Sequence, residues 1–406
     1  MNCRNILCFD VHTRAQHKFA RITQEFFNQG YNITLIHSGS LGHDKNTLNE
    51  YQFEFINVID ISCFGGNISS VLDKYKPDLA IFLSTRSVFQ MAVISHCVKS
   101  NIPTIHCYHG LVSIQNFGNT YKSKTSIFLK KILIKIPKNI LILYPFYIRN
   151  ILSKGLEKKD FLGLYQLIKF QLGSDTFKYI ENTSTDIGCI YTRDDFEDIS
   201  IKYRIDSDNI VIGGNPDLSE YYSRELVQKD VLDYSENVGI YIDTCLYSAN
   251  LIFGSIDDWI NDLQNILEKL SLDKIYWKPH PANPREVVSE VSKRLEMTVV
   301  DSLQFSELLP RARLVVCEST TLIMAAAAHG KALVLLNHGF YSGMGYGDLI
   351  LSYPRKVLSA DYSERNMQSI SKQDYSEWFT DKIGPNPNLV SQKLLNKYYE
   401  FTGKRI

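Results

Sequence analysis

Lys278-Pro279-His280-Pro281 follows the short run Lys274–Trp277. The two prolines fix the local backbone and bias Lys278 and His280 toward extended conformations. A lysine and a histidine held this way can face one anion together. The histidine can also hydrogen-bond, or protonate, a leaving phosphate near neutral pH. The same residues would equally make a plain surface loop. A second group, Glu318-Ser319-Thr320-Thr321, follows the apolar run Leu314–Cys317 and opens a helical pattern ending at Gly330. Ser319 or Thr320 is placed as an N-cap, and hydroxyls, first-turn N–H groups and the helix dipole together suit an anion. Capping alone also accounts for those hydroxyls. A third group, Gly213-Gly214-Asn215-Pro216, ends another run. Its glycines would let a ligand approach the backbone, or would simply make a tight turn.

Other candidates stand at the ends of further apolar runs. Asp10 and His12 follow the first one, and either could act as a general base. His109 closes the run Ile102–His109, and Asp243 with Thr244 closes Val238–Thr244. The glycine-rich stretch His338–Gly347 carries Tyr341 and Tyr346, placed either to cover a nucleobase or to act as a connection. Asp206-Ser207-Asp208 has the form of a metal-binding D-x-D but precedes a strand, and is read as a turn. No zinc-ligand spacing, P-loop, G-x-G-x-x-G or G-x-S-x-G occurs. Neither a metal nor a cofactor is therefore expected.

These groups need elements to hold them. Short apolar runs alternate with helical patterns. Strands are expected at Asn5–Asp10, Asn32–Gly39, Phe53–Asp60, Pro77–Ser84, Ile102–His109, Ile187–Arg193 and Asn209–Gly214. After a polar linker at Gln228–Asn237 the order restarts, with strands at Val238–Thr244, Lys274–Lys278, Thr298–Val300, Leu314–Cys317 and Ala332–Leu336. Such alternation implies parallel βαβ units. The predicted fold class is α/β, with two Rossmann-like doubly wound domains facing a cleft at the carboxyl ends of their sheets. Residues 1–230 form the expected acceptor domain, with an insertion at 118–160. Residues 231–380 form the donor domain, and 381–406 a C-terminal helix able to cross back to the first. The length of 406 residues suits two cores rather than one.

Lys+Arg and Asp+Glu number 44 each, so the formal net charge is zero and a uniformly basic nucleic-acid binder is excluded. Eight cysteines without a C-x-x-C pair, most inside apolar runs, fit a reducing cytoplasm. No signal peptide and no run long enough to span a bilayer is read. The neutrality is a cancellation. Gly118–Asp160 holds ten basic residues against two acidic ones, for +8, and the remaining residues carry −8. Lys130, Lys131, Lys135 and Lys138 lie there among apolar and aromatic residues. The segment reads either as a solvated helical hairpin or as a patch for the inner face of a membrane.

The two-domain plan, with the His-Pro tetrapeptide about forty residues ahead of Glu318-Ser319-Thr320-Thr321, resembles GT-B glycosyltransferases of bacterial capsule and lipopolysaccharide synthesis. Within that class it is similar to the polysialyltransferase-like and Kdo-type enzymes that use CMP-activated acidic sugars. The resemblance implies that His280, Ser319 and Thr320 bind the CMP phosphate, with no cofactor beyond the nucleotide-sugar substrate. Phe340–Gly347 is loosely similar to a loop of the capsule enzymes. Val211–Leu218 resembles a turn shared with UDP-GlcNAc 2-epimerases and CDP-glycerol transferases. The acidic pair and glycine of the sialyltransferases is absent, since Asp194-Asp195 is followed by Phe196. With the strand-end and loop residues above, the candidate donor site comprises Gly213, Gly214, Asn215, Asp243, Thr244, Lys278, His280, Pro281, Glu318, Ser319, Thr320, Thr321 and Tyr341. Asp10, His12, His109 and His280 are the catalytic candidates. The implied activity is metal-independent transfer of a nonulosonate or Kdo to a surface polysaccharide or lipid-linked glycan. The alternatives are a CDP-polyol phosphotransferase of teichoic-acid type, a UDP-GlcNAc 2-epimerase and a non-catalytic nucleotide-sugar-binding assembly subunit.

Overall fold

In β1, Arg4–Asp10, Ile6 and Cys8 belong to one buried cluster and Leu7 and Phe9 to another. A strand buried on both faces is the mark of a parallel sheet covered by helices on each side. The computed structural model of the chain describes residues 4–41, 53–108, 139–171, 180, 182–219, 237–244, 247–248, 252–317, 320, 322–336, 352–354, 356–358, 378–379 and 381–403.

The described residues fall into two units, Met1–Asp217 with Gly384–Ile406, and Leu218–Ile383. The first division therefore comes at Asp217, and the C-terminal helix belongs to the first unit. In that unit β1 is followed by α1 (Gln16–Asn28), β2 (Tyr31–His37), β3 (Ile56–Asp60), α2 (Ile68–Tyr75), β4 (Leu79–Phe82), α3 (Val88–Lys99) and β5 (Thr104–Cys107). Next come α4 (Tyr144–Leu152), α5 (Lys158–Gln171), β6 (Ile187–Ile190), α6 (Phe196–Tyr203) and β7 (Ile210–Ile212). All seven strands pair in parallel in the order β3-β2-β1-β4-β5-β6-β7.

In the second unit the order is β8 (Val238–Ile242), α7 (Ile256–Lys269), β9 (Lys274–Lys278), α8 (Arg285–Arg294), β10 (Thr298–Val299), α9 (Ser302–Leu308) and β11 (Leu314–Cys317). Then follow α10 (Leu322–Ala328), β12 (Ala332–Leu335) and β13 (Lys356–Leu358), before α11 (Val390–Thr402) returns to the first unit. Its six strands are also parallel, in the order β10-β9-β8-β11-β12-β13. Renumbered from its own first strand, this is the 3-2-1-4-5-6 order of the doubly wound fold. The two units thus repeat one topology, although no sequence repeat marks it.

Packing explains the helices. α3 starts on a Ser87–Gln90 capping box and is buried along nearly its whole length. One side lies against the sheet, and α4 and α5 pack over the other. The anchor is Asp160, fully buried. Its carboxylate accepts from Lys99 Nζ (2.7 Å), Ser95 Oγ (2.9 Å), Asn182 Nδ2 (2.6 Å) and the Glu157 N–H (2.9 Å). α11 covers the opposite face of the sheet with Leu394, Leu395 and Tyr398, each fully buried. A buried apolar side chain of that size is worth about 1.5–3 kcal/mol. In the second unit Ala325–Ala328 are all buried, as a helix pressed closely onto a sheet requires.

Two histidines are enclosed in the first unit. Burial lowers His96 to about 4, despite its ring hydrogen bond to the Ala92 carbonyl. Burial also lowers His106 to about 3, aided by the Arg86 charge. The His106 ring lies 4.7 Å from that of Tyr203, centroid to centroid. The unfolded chain, with histidines near 6.5, takes up protons first as the pH falls. Stability is therefore complete above about pH 6.5 and is lost as the pH falls toward the folded values. Urea midpoints are expected to be flat above about pH 7 and to fall steadily from about pH 6.5 to pH 4. His106→Leu should make that slope shallower; a midpoint insensitive to pH across this interval would contradict the assignment.

Candidate functional site

The second unit builds its site where β8, β9 and β11 end. β9 is anchored by Trp277, fully buried, edge-on to Trp259 (5.9 Å) and stacked with Tyr241 (6.3 Å). The ladder pairs Ile242 with Lys278, so Asp243 and Pro279 leave the sheet side by side. The Asp243 N–H donates to the Lys278 carbonyl (3.2 Å). The Asp243 side chain is buried, and its carboxylate accepts from the His280 N–H (3.3 Å) and from the Asn283 side-chain amide. Within the turn, Asn283 N–H donates to the His280 carbonyl (3.0 Å) and Ala282 N–H to His280 Nδ1 (3.2 Å). An occupied Nδ1 leaves the ring proton on Nε2, on a side chain exposed to solvent. Lys278 is half-buried; burial lowers its ammonium pKa, opposed by Asp301. The Thr244 hydroxyl is buried without a partner among the described residues.

Thr320 lies two residues ahead of α10. Its hydroxyl accepts from Leu322 N–H (3.4 Å) and its carbonyl from Ile323 N–H (3.1 Å). Glu318, Ser319, Thr321, Tyr341 and His109 lie outside the described residues, as do Lys130, Lys131, Lys135 and Lys138. Pro281 is exposed in the His280 turn. Asp243, read from sequence as a ligand contact, acts within this unit as the group that shapes the turn.

In the first unit the corresponding place is the end of β1, beside β4, where the strand order reverses. Asp10 is nearly buried and accepts from the His12 N–H (3.0 Å). Burial raises its pKa above the ordinary carboxylate range, against the His12 and Val11 N–H groups and the charges of His12 and Lys18. Ser38, after β2, and Thr85, after β4, flank it in the sheet order. Both hydroxyls are buried without a partner among the described residues. Sequence reading missed two further groups. The ladders align Asp10 with His37 and His37 with Asp60, in a row along the carboxyl edge. His37 Nδ1 lies 3.3 Å from Asp60 and accepts from Gly39 N–H (3.2 Å). Burial lowers the His37 pKa, against the pull of Asp60. Burial raises the Asp60 pKa, but bonds from Ser40 and Ser62 outweigh it and the net shift is downward. Each is the last residue of its strand, and it is the strand pairing that brings the two together.

The turn at Gly213-Gly214-Asn215 has another task. Gly213 N–H donates to the Ile190 carbonyl (2.9 Å), and a side chain there would strike Val390 and Cys189. Gly214 has φ +79° and abuts the Pro385 carbonyl, while Gly384, φ +93°, abuts the Tyr191 carbonyl. The glycines let the returning C-terminal chain lie against the end of the sheet. Asn215 is buried beside them. Asp206 accepts from Asp208 N–H (3.2 Å), closing a turn. The Asp195 carboxylate accepts from the Thr192 N–H (3.1 Å).

The sequence matches no protein-family model and no curated protein. Its architecture does match solved structures. A protein assigned as a UDP-N-acetylglucosamine 2-epimerase, from Listeria monocytogenes, aligns with a TM-score of 0.56 at 12% identity, over 100% of this chain and 98% of that one. A glycosyltransferase from Rickettsia africae ESF-5 aligns at 0.52 and 12%, over all of both chains. The wall teichoic acid polymerase TagF, an H444N variant with CDPG, aligns at 0.51 and 11%, over 99% of this chain and 90% of that one. At these identities the shared property is the fold, and it is the GT-B fold.

Two substitutions separate chain packing from ligand contact. Gly214→Ala is expected to cost about 1–3 kcal/mol in urea unfolding, with nucleotide affinity of the folded protein unchanged. Asp243→Ala leaves the His280 N–H and the Asn283 amide unsatisfied and should cost about 1–3 kcal/mol. It should also weaken nucleotide binding, measured by calorimetry. A Gly214→Ala protein of unaltered stability but lost nucleotide affinity would make Gly214 a ligand contact rather than a packing residue.

Proposed function

We propose that the protein is a nucleotide-sugar-dependent glycosyltransferase whose second unit holds the donor. The observation that carries this reading is the buried Asp243 carboxylate fixing the Lys278–His280 turn at the strand ends where a doubly wound sheet takes its ligand. His280 Nε2–H would donate to the leaving phosphate and the Lys278 ammonium would offset its charge, a stabilisation that counts most when donors are already in place. Thr244 offers a hydroxyl beside them. In the first unit, Asp10 is the base we assign to the acceptor hydroxyl, because its raised pKa brings it closer to the working pH. His12 lies next to it.

The resemblance of the His-Pro turn to that of capsule and lipopolysaccharide enzymes favours a CMP-linked nonulosonate or Kdo as donor and a growing surface glycan as acceptor. The likeness to TagF favours a second reading, transfer from a CDP-linked polyol.

His280→Ala is expected to reduce turnover more than tenfold, about 1.4 kcal/mol or more of transition-state stabilisation, with the fold intact by circular dichroism. Turnover like that of the unsubstituted protein would remove His280 from the mechanism. Thermal-shift measurements with CMP, CDP, UDP and GDP should show the largest rise with a cytidine nucleotide. Tight nucleotide binding with no turnover on any donor would instead favour a non-catalytic assembly subunit.

A further inference from the structure

Eight of the fifteen large apolar side chains exposed among the described residues lie between Leu141 and Tyr165. They are ordered. Around α4 the exposed positions Leu141, Ile148 and Leu152 fall at helical spacing, opposite the buried Phe146, Tyr147 and Ile151. On α5 the exposed Phe161 and Tyr165 are one turn apart, while Asp160 and Leu167 are buried. Both helices pack their inner sides on α3. The outer sides, where solvent ordinarily selects polar residues, are therefore apolar.

Basic residues accompany the apolar ones. Arg149, Lys154, Lys158 and Lys169 are exposed on the same two helices or the turn between them, and Lys169 Nζ lies 5.4 Å from the Tyr165 ring. Of the two acids, Asp160 is buried against Lys99 and Glu157 pairs with Lys159 (3.0 Å). Among the described residues no helix is long and apolar enough to cross a membrane.

We propose that the outer faces of α4 and α5 dock on an anionic lipid surface, with Ile148, Leu152, Phe161 and Tyr165 entering the headgroup region and Arg149, Lys154, Lys158 and Lys169 meeting lipid phosphate. Charge selects this occupant. An apolar face made for a protein partner or a second copy needs no surrounding excess of one sign, whereas shallow insertion into an anionic bilayer uses both features together. This placement is independent of the identity of the donor nucleotide.

The test is co-sedimentation of the full chain with vesicles of phosphatidylcholine alone and of phosphatidylcholine with phosphatidylglycerol. The protein is expected to pellet with the anionic vesicles only, and to be released by salt. Phe161→Glu with Tyr165→Glu should lower the partition coefficient at least about tenfold, and Lys154→Glu with Lys158→Glu should do likewise. All four positions are exposed, so thermal unfolding should stay unchanged. Equal recovery in the supernatant with both vesicle types overturns the proposal. So does binding that survives both double substitutions, which would put the contact elsewhere on the chain. A dimer in solution that Phe161→Glu with Tyr165→Glu abolishes, without vesicle binding, would assign the face to a second copy instead.

Discussion

The arrangement of chemistry in this chain follows from one constraint: the central strands of each parallel sheet are buried on both faces, so polar groups there can work only at strand ends. The two edges of the first sheet then divide the labour. At the amino edge, polar groups satisfy one another. Asn5 N–H donates to Asp78 (3.1 Å) and its amide to the Tyr75 carbonyl (2.7 Å), while Thr104 gives both its N–H and its hydroxyl to Asp186 (2.8 Å each). At the carboxyl edge, Ser38 and Thr85 bury hydroxyls with no partner among the described residues. A buried hydroxyl left unbonded costs about 1–3 kcal/mol. One edge closes the fold, and the other keeps unmet bonding capacity where a ligand can use it.

The two sheets place an aspartate at equivalent points, Asp10 after β1 and Asp243 after β8, and use them differently. Asp243 is committed, accepting from the backbone and side chain of the turn that carries His280. Its bonds order a loop within its own unit. Asp10 accepts from its own loop at His12 and Val11, and burial dominates its pKa. A carboxylate whose burial outweighs its donors binds a proton more readily, which is the property a base near neutral pH requires. Topology supplies the same place twice, and the two carboxylates are engaged differently, one by the turn after a neighbouring strand and the other by its own loop.

The strand pattern was largely legible because buried parallel strands read as apolar runs between polar helices. Twelve of the thirteen described strands coincide, to within three residues at their ends, with runs expected from sequence; β13, Lys356–Leu358, was not among them. Helices α4 and α5 were hidden for the same reason that makes them unusual, since apolar residues on both sides blur the helical period. The site was legible where proline marks it, at Lys278–Pro281, and illegible where register makes it, at His37 and Asp60. Those two become neighbours only when β2 and β3 pair. Gly213 and Gly214 left both a ligand and a tight turn open in the sequence, because glycine reports close approach without naming what approaches. In this chain it is the protein's own returning segment, far later in sequence at Gly384–Pro385.

The neutral total charge also changes meaning once burial is known. Asp160 counts as an acid in the basic segment, yet its charge is met inside the fold by Lys99 of α3. It therefore does nothing to offset Lys154 or Lys158 at the surface. The pair instead fastens α5 to α3, and Asn150, bonded to the Gly66 carbonyl (3.0 Å) and the Ile68 N–H (2.9 Å), fastens α4 to the start of α2. Polar bonds thus reinforce the side of both helices that faces the unit, where Phe146, Tyr147, Ile151 and Leu167 are also buried. An amphipathic helix has one apolar stripe to bury. These two carry apolar residues on both sides, and fixing the inner side leaves the other facing outward.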